Sequence, residues 1–166
     1  MPYALTTRHR ATPQSGFTLF EVLIALLILS IGLLGLAGLQ AIGLRNNHRA
    51  YLRTQAVLQA YDILDRMRAN MQGVTAGDYD SITTPVPSIP ACAAANPPVS
   101  CTPAQMAQYD SYAWNTENAA LLPGGSGTVT KLVNGEYQVT INWTDQMTKL
   151  PTPTAVPSTL TLDADP

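Results

Sequence analysis

The sequence predicts an α+β fold: a long N-terminal helix, membrane-spanning in its first half, packed against a small antiparallel sheet with a short second helix. Three observations predict it. Val22–Leu44 is a run of 23 residues without a charge. Residues 45–71 are rich in Ala, Leu, Gln, Arg and Met and contain no Pro, and these are good helix formers. Residues 127–144 alternate apolar and polar around Asn134-Gly135, which is the pattern of a half-buried hairpin.

The uncharged run is long enough to cross a bilayer. At about 1.5 Å per residue it spans roughly 35 Å, against a hydrocarbon core of about 30 Å. Before it stand Arg8, His9 and Arg10 with no acid, a basic leader to be set apart from the fold. Glu21 is the exception, a lone carboxylate at the head of the segment. A carboxylate there is costly and marks a functional site, or it snorkels at the interface of a simple anchor. Gly32, Gly35, Gly38 and Gly43 interrupt the span. They permit close helix approach and weaken the helix locally, or reflect the ordinary glycine content of membrane helices. Arg45, Arg49 and Arg53 follow the span, so counting positive charges does not set its orientation.

The helix is expected to continue to Met71, giving a rod of roughly 80 Å. Ala50, Val57, Ala60, Tyr61, Leu64, Met67 and Met71 form a predicted apolar stripe. Asp62 and Arg66 stand at i, i+4 as a surface pair, and Gly73 suits the position just past the helix end. Residues 73–101 read as loop, broken by Gly73, Gly77 and five prolines. Thr102, Pro103 and Gln105 predict the start of a second helix with a capping box. It should end near Leu121, before Pro123-Gly124-Gly125. Its inner edge is either Trp114 with Leu121 or Met106 with Tyr109 and Ala113.

Asn134-Gly135 predicts a type I′ hairpin turn. After it Tyr137, Val139, Ile141 and Trp143 should face the core. Leu160 and Leu162 alternate in a further strand within Ser158–Asp163, and 145–157 reads as a surface loop. The apolar face of this sheet should lie on the helix stripe.

The formal net charge is −2, and losing Arg8 and Arg10 would take it to −4. Nucleic acid is not indicated, because that would need a basic patch. No nucleophile elbow, P-loop or metal-ligand cluster is present in the sequence, so no cofactor or metal is expected and no catalytic residue is assigned. His48 is too near the span to be an attractive base. Asp78 and Asp80 flank Tyr79 as a weak Ca²⁺ candidate or, more simply, a solvated acidic loop.

Gly16-Phe17-Thr18-Leu19-Phe20-Glu21 before an apolar helix resembles the signature of type IV prepilins. Two longer stretches, Ser30–Gln40 and Ala60–Asn70, resemble the PilV-type minor pilins, the type IV pilus modification proteins. The pair Cys92 and Cys101, Tyr109-Asp110 before Trp114, and a strand ending at Trp143 resemble that family less specifically. Phe20 departs from the smaller aliphatic usual before the glutamate.

The resemblance implies a type IV pilin-like fold and a division into leader (1–16), hydrophobic half-helix (17–44), amphipathic half-helix (45–72) and globular head (73–166). It implies cleavage between Gly16 and Phe17 by a prepilin peptidase, with methylation of Phe17. Glu21 would then lie four residues from a charged amine. A neighbour's amine could pair with it and set subunit register, since a paired charge is less costly in lipid than a lone one.

Two cysteines outside the cytoplasm favour a Cys92–Cys101 disulfide over free thiols or a metal site. Such a bridge is worth about 2–3 kcal/mol in the chain-entropy model. The role implied is non-enzymatic: a minor pilin in a priming or tip complex, supporting twitching motility and adhesion. Its partners would be other minor and major pilins, the prepilin peptidase, the inner-membrane assembly platform and, before assembly, the lipid bilayer. The head would lie in the periplasm until the chain enters the pilus. A minor pseudopilin of a type II secretion system is the nearest alternative. A membrane-tethered enzyme or binding module is the alternative of another class.

Overall fold

A computed structural model describes residues 16–83, 88–96, 99–149 and 152–166, with the backbone alone at 146–149 and 152–155. The chain divides into two compact units, residues 1–45 and 46–166. In the first unit the described chain is helix α1, which begins at Leu19 and ends in the second unit at Ala69. Thr18 caps it: the Glu21 N–H donates to the Thr18 hydroxyl at 3.3 Å and to the Thr18 carbonyl at 3.1 Å. The start is thus two residues after Phe17. Every described residue of this unit is exposed, and the helix is long and apolar enough to cross a membrane.

The second unit holds the rest of α1, then α2 (Met71–Ala76), β1 (Ser81–Ile82), α3 (Ala91–Ala94), α4 (Pro103–Leu121), β2 (Ser126–Lys131), β3 (Tyr137–Lys149) and β4 (Thr152–Ala164). The four strands form one antiparallel sheet in the order β1-β2-β3-β4. Leu52, Ala56, Ala60, Ile63, Leu64 and Met67 of α1 share a single core with Trp114 of α4 and with Val129, Tyr137, Val139, Ile141 and Trp143 of the sheet. Leu160 and Leu162 pack against its margin. The inward faces of β3 and β4 are therefore those that the alternation predicts.

The buried stripe of α1 is rotated from the predicted one. Ala60, Leu64 and Met67 are buried as expected, but Ala50, Tyr61 and Met71 are exposed and Val57 is half-buried. Leu52, Ala56 and Ile63 take the inner places. Helix α1 stops before Asn70, and Gly73 lies buried inside α2 rather than past a helix end. The capping glycine is Gly77, at φ 86° in the left-handed region. Segment 73–101, read as loop, contains most of α2 and all of β1 and α3.

Helix α4 matches its prediction at both ends. The Gln105 N–H donates to the Thr102 hydroxyl at 3.3 Å, and the Thr102 N–H to Gln105 Oε1 at 2.9 Å. Its inner face contains Trp114 but neither full predicted edge: Leu121 and Met106 are exposed, while Ala107, Ser111 and Asn118 are buried. The i, i+4, i+7, i+11 spacing from Ala107 explains this, with small and polar residues allowing α4 to lie close.

Trp114 fixes that approach. Its indole N–H donates to the Gln59 carbonyl of α1 at 2.8 Å. Its ring covers Gly127 of β2, where a Cβ would stand 2.5 Å from Cζ3 and 2.7 Å from Cζ2. The Gly127 N–H in turn donates to Asn115 Oδ1 at 2.7 Å.

The β2–β3 turn is not type I′. Type I′ needs positive φ at both central residues, but no non-glycine residue among those described has it. Of the two turn residues only Gly135 has it, at φ 94°. The Gly135 N–H reaches the Leu132 carbonyl at 3.0 Å, and the Leu132 N–H the Glu136 carbonyl at 2.8 Å. This is a three-residue loop, a type I turn followed by a left-handed glycine.

Residues 145–157 are not a loop either: they extend β3 and β4 into a hairpin of 13-residue strands. Prolines 153 and 157 are compatible with this because β4 is the outer strand. Pro157 stands opposite Thr144, whose N–H turns the other way to the Pro123 carbonyl at 2.8 Å. It therefore occupies a position whose missing N–H would face away from β3. Pro153, four residues earlier, has the same phase along the strand.

Substituting Gly127→Ala should destabilise the chain by about 1–3 kcal/mol through overpacking. Combining it with Trp114→Phe should cost less than the two changes summed, because the smaller ring vacates the contested space. Thermal melts of the four chains of this double-mutant cycle in detergent measure the coupling, and strict additivity would show that the ring is not what requires glycine at 127.

Candidate functional site

The predicted processing and register residues sit together at the start of α1. Gly16 has no atom within 4 Å of the place a Cβ would take, and Phe17 is 83 % exposed. The Gly16–Phe17 junction therefore lies before the helix and is exposed among the described residues. Phe17 and Glu21 line one groove with Val22, Ala25, Leu26 and Leu29, an apolar helix face with a carboxylate at its head. Among the described residues no cation pairs with Glu21.

Glu21 lies in the first turn of α1, at the third helical position. The unsatisfied N–H groups and the macrodipole make a helix N-terminus favourable for a negative charge. The signal was legible as Thr18-x-x-Glu21, the spacing of a capping box. The glutamate is thus held at the helix start by local geometry, four residues after Phe17.

The head is tied to α1 by a polar cluster that sequence reasoning did not assemble. Asp62 and Arg66 of α1 and Asn70, the residue just past its end, recur at four-residue spacing. Arg66 Nε donates to Asp62 at 2.7 Å, its Nη2 lies 3.3 Å from Glu117 and its Nη1 3.8 Å from Asp110. Asp110 also accepts from the Tyr79 hydroxyl at 2.5 Å. The Asn70 amide donates to Tyr79 Oη at 3.1 Å and to the Pro103 carbonyl at 2.8 Å. The expected surface pair Asp62–Arg66 is therefore part of a half-buried network joining α1, α4 and the Tyr79 segment.

Burial raises the Asp110 carboxyl above the usual range, while the Tyr79 hydrogen bond and Arg66 act to lower it. Burial, reinforced by the hydrogen bond to Asp110, also raises the Tyr79 phenol. These two buried titratable groups satisfy each other, which is what a structural pair requires.

Cys92 and Cys101 are joined, with Cα atoms 5.3 Å apart. The bridge fastens α3 to the residue just before the Thr102 cap. The Gln108 side chain adds a donor to the Ser88 carbonyl at 2.7 Å. Asp80 is engaged rather than free: it accepts from the Tyr137 hydroxyl at 2.7 Å and lies 3.3 Å from Lys131 Nζ. Asp78 is exposed. Among the described residues no group of His, Cys, Asp or Glu is placed to hold a metal ion.

Two family models match the chain. Residues 12–37 match the prokaryotic N-terminal methylation motif, and residues 38–112 match the type IV pilin Tt1218. No curated protein and no solved structure matches. With the long apolar helix and the four-stranded antiparallel sheet, these matches support a type IV prepilin of α+β pilin fold. They support a pilin function, in a pilus or a pseudopilus, in a family that is structural and in general non-enzymatic. Processing by a prepilin peptidase and assembly with other pilins follow from that likeness, and the apolar helix is consistent with membrane anchoring.

Because its folded-state carboxyl is raised above the unfolded value of about 3.9, Asp110 contributes stability that is complete below that value. The contribution is lost as pH rises through the folded value. The stability difference between the parent chain and Asp110→Asn should therefore move against the parent as pH rises from about 4 through the folded value. Urea unfolding followed by tryptophan fluorescence reads it, and parallel pH profiles for the two chains would remove Asp110 from the account.

Proposed function

We propose that this chain is a minor pilin of the PilV type, acting in the complex that primes type IV pilus assembly or caps its tip. The observation that carries the reading is Glu21: the one carboxylate of an otherwise uncharged helix start, seated in the first turn four residues after an exposed Gly16–Phe17 junction.

Cleavage by the prepilin peptidase after Gly16 would leave a methylated Phe17 amine at the head of α1. A cation there and the Glu21 carboxylate face the same apolar groove. In lipid or in a helical filament core each charge alone is costly. A neighbour's amine beside Glu21 relieves both, and it does so at one axial offset only. Subunits would therefore enter in register rather than by unspecific side-by-side packing.

The PilV-type assignment rests on Ser30–Gln40 and Ala60–Asn70. The second stretch supplies Asp62, Arg66 and Asn70, whose side chains make bonds around α4 and Tyr79. Tyr109-Asp110 and Trp114, the other part of that likeness, supply the answering groups. The proposed division is a leader at 1–16, a membrane half-helix at 17–44, an amphipathic half-helix at 45–72 and a head at 73–166. The chain would first cross the inner membrane once with its head in the periplasm. It would then pass through the assembly platform into the pilus with other minor and major pilins, serving twitching motility and adhesion.

Mass spectrometry of the mature N-terminus, on protein from membranes and from sheared fibres, tests the reading. N-methyl-Phe17 in the fibre fraction is expected. Its restriction to membranes would favour a type II secretion pseudopilin, and an intact leader in both fractions with the peptidase present would overturn the proposal. Glu21→Ala should still be cleaved but fall at least roughly tenfold in fibres, in keeping with a lost buried charge partner.

A further inference from the structure

We infer that the head carries, at the stretch of α1 that follows the uncharged run, a binding site for the phosphate of an anionic phospholipid, with Arg53 as its cationic ligand and Arg49, paired to Asp145, beside it. The inference rests on the membrane-anchored stage proposed above. Arg49 and Arg53 of α1, Trp143 and Asp145 of β3, and Ser158 and Thr159 of β4 line a groove of about 260 Å³. All six belong to the second unit.

Charge is distributed unevenly around this groove. From Val22 to Tyr61 there is no acidic residue, whereas Arg45, His48, Arg49 and Arg53 fall within nine positions directly after the uncharged run. Arg49 pairs with Asp145 at 3.0 Å, which neutralises the only carboxylate lining the groove. Among the described residues Arg53 has no carboxylate partner. The groove therefore keeps one uncompensated guanidinium in a lining that includes the Ser158 hydroxyl and Trp143. The Thr159 hydroxyl is already bonded to Asn142 at 2.9 Å.

The position along α1 selects the ligand. Arg49 and Arg53 follow Leu44 by five and nine residues, about 7.5 and 13.5 Å along a helix. The headgroup layer occupies roughly 5–8 Å beyond the hydrocarbon on each side. An arginine stem is long enough to carry a guanidinium several ångströms along a helix. Guanidinium groups match phosphate oxygens with paired donors.

Cations on the far side of a single span run against the usual charge bias when the head faces outward. A headgroup ligand gives them a role: holding the head at the bilayer surface until the helix is withdrawn.

Native mass spectrometry of the full chain, released from mixed phosphatidylcholine and phosphatidylglycerol nanodiscs, tests the site. The parent chain should retain phosphatidylglycerol above the phosphatidylcholine background. Arg53→Gln should lower that retention about fivefold, and Arg53→Lys should restore part of it. Arg68→Gln, at the other end of the head, should leave it unchanged, and a melt of each variant confirms folding. Equal retention of the two lipids, or an Arg53→Gln chain that behaves as the parent, would overturn the site. Displacement of the lipid by an equal concentration of inorganic phosphate would reassign it to the free anion and overturn the lipid. Flotation with phosphatidylcholine vesicles separates the two levels. A chain that floats but shows no anionic preference loses only this site, whereas a chain that does not float loses the membrane-anchored reading.

Discussion

The indole of Trp114 has no exposed surface, and its single polar atom finds a partner on the backbone of another element. A buried indole N–H without an acceptor costs on the order of 1–3 kcal/mol. The Gln59 carbonyl that accepts it lies on α1, so the depth of α4 against α1 is set by one hydrogen bond. On the other side the ring leaves no room for a side chain, and β2 presents Gly127 there. Asn115, next along α4, takes the Gly127 N–H. Two helices and the sheet are thus positioned by neighbouring residues of one helical turn, and the aliphatic core fills the space they define.

A polar cluster lies one turn toward the N-terminus of α4, where Asp110 meets Tyr79 and Arg66. Networks of this kind specify a unique arrangement when their members are satisfied and are costly when they are not. Here most members are satisfied, with two exceptions nearby. The Asn118 amide and Gln59 Oε1 are buried without a hydrogen-bond partner among the described residues. Both flank the Trp114 contact in sequence, Asn118 one turn along α4 and Gln59 on the accepting residue itself. The head is thus built for one geometry rather than for maximal stability, which suits a domain that must be placed accurately on a long helix.

How much of this was legible follows from how local each signal is. The α4 cap needs four residues and the β3 alternation needs seven, so both were readable. Glu21 and the Gly16–Phe17 junction were readable for the same reason. The phase of α1 was not, because Tyr51, Leu58 and Tyr61 lie on an exposed face while Leu52, Ile63 and Met67 lie on the buried one. Apolarity spread around a helix does not say which side is covered. Asn134-Gly135 located the turn, but the type depended on how many residues the ladder left unpaired. Pro153 and Pro157 suggested a loop, because a proline forbids only a central strand and edge position is a property of the assembled sheet. The Arg66–Asp110–Tyr79 cluster joins residues separated by 31 or more positions, and no periodicity in the sequence connects them.

The phase of those two prolines has a consequence at the level of the assembly. An outer strand is a template on which any other strand can add, and copies of this chain held close together would meet such templates. On β4 the outward row of donors is interrupted at two positions four residues apart. A neighbouring strand approaching residues 152–157 would therefore leave two of its carbonyls unanswered. Heads can be crowded together without zipping into a continuous sheet.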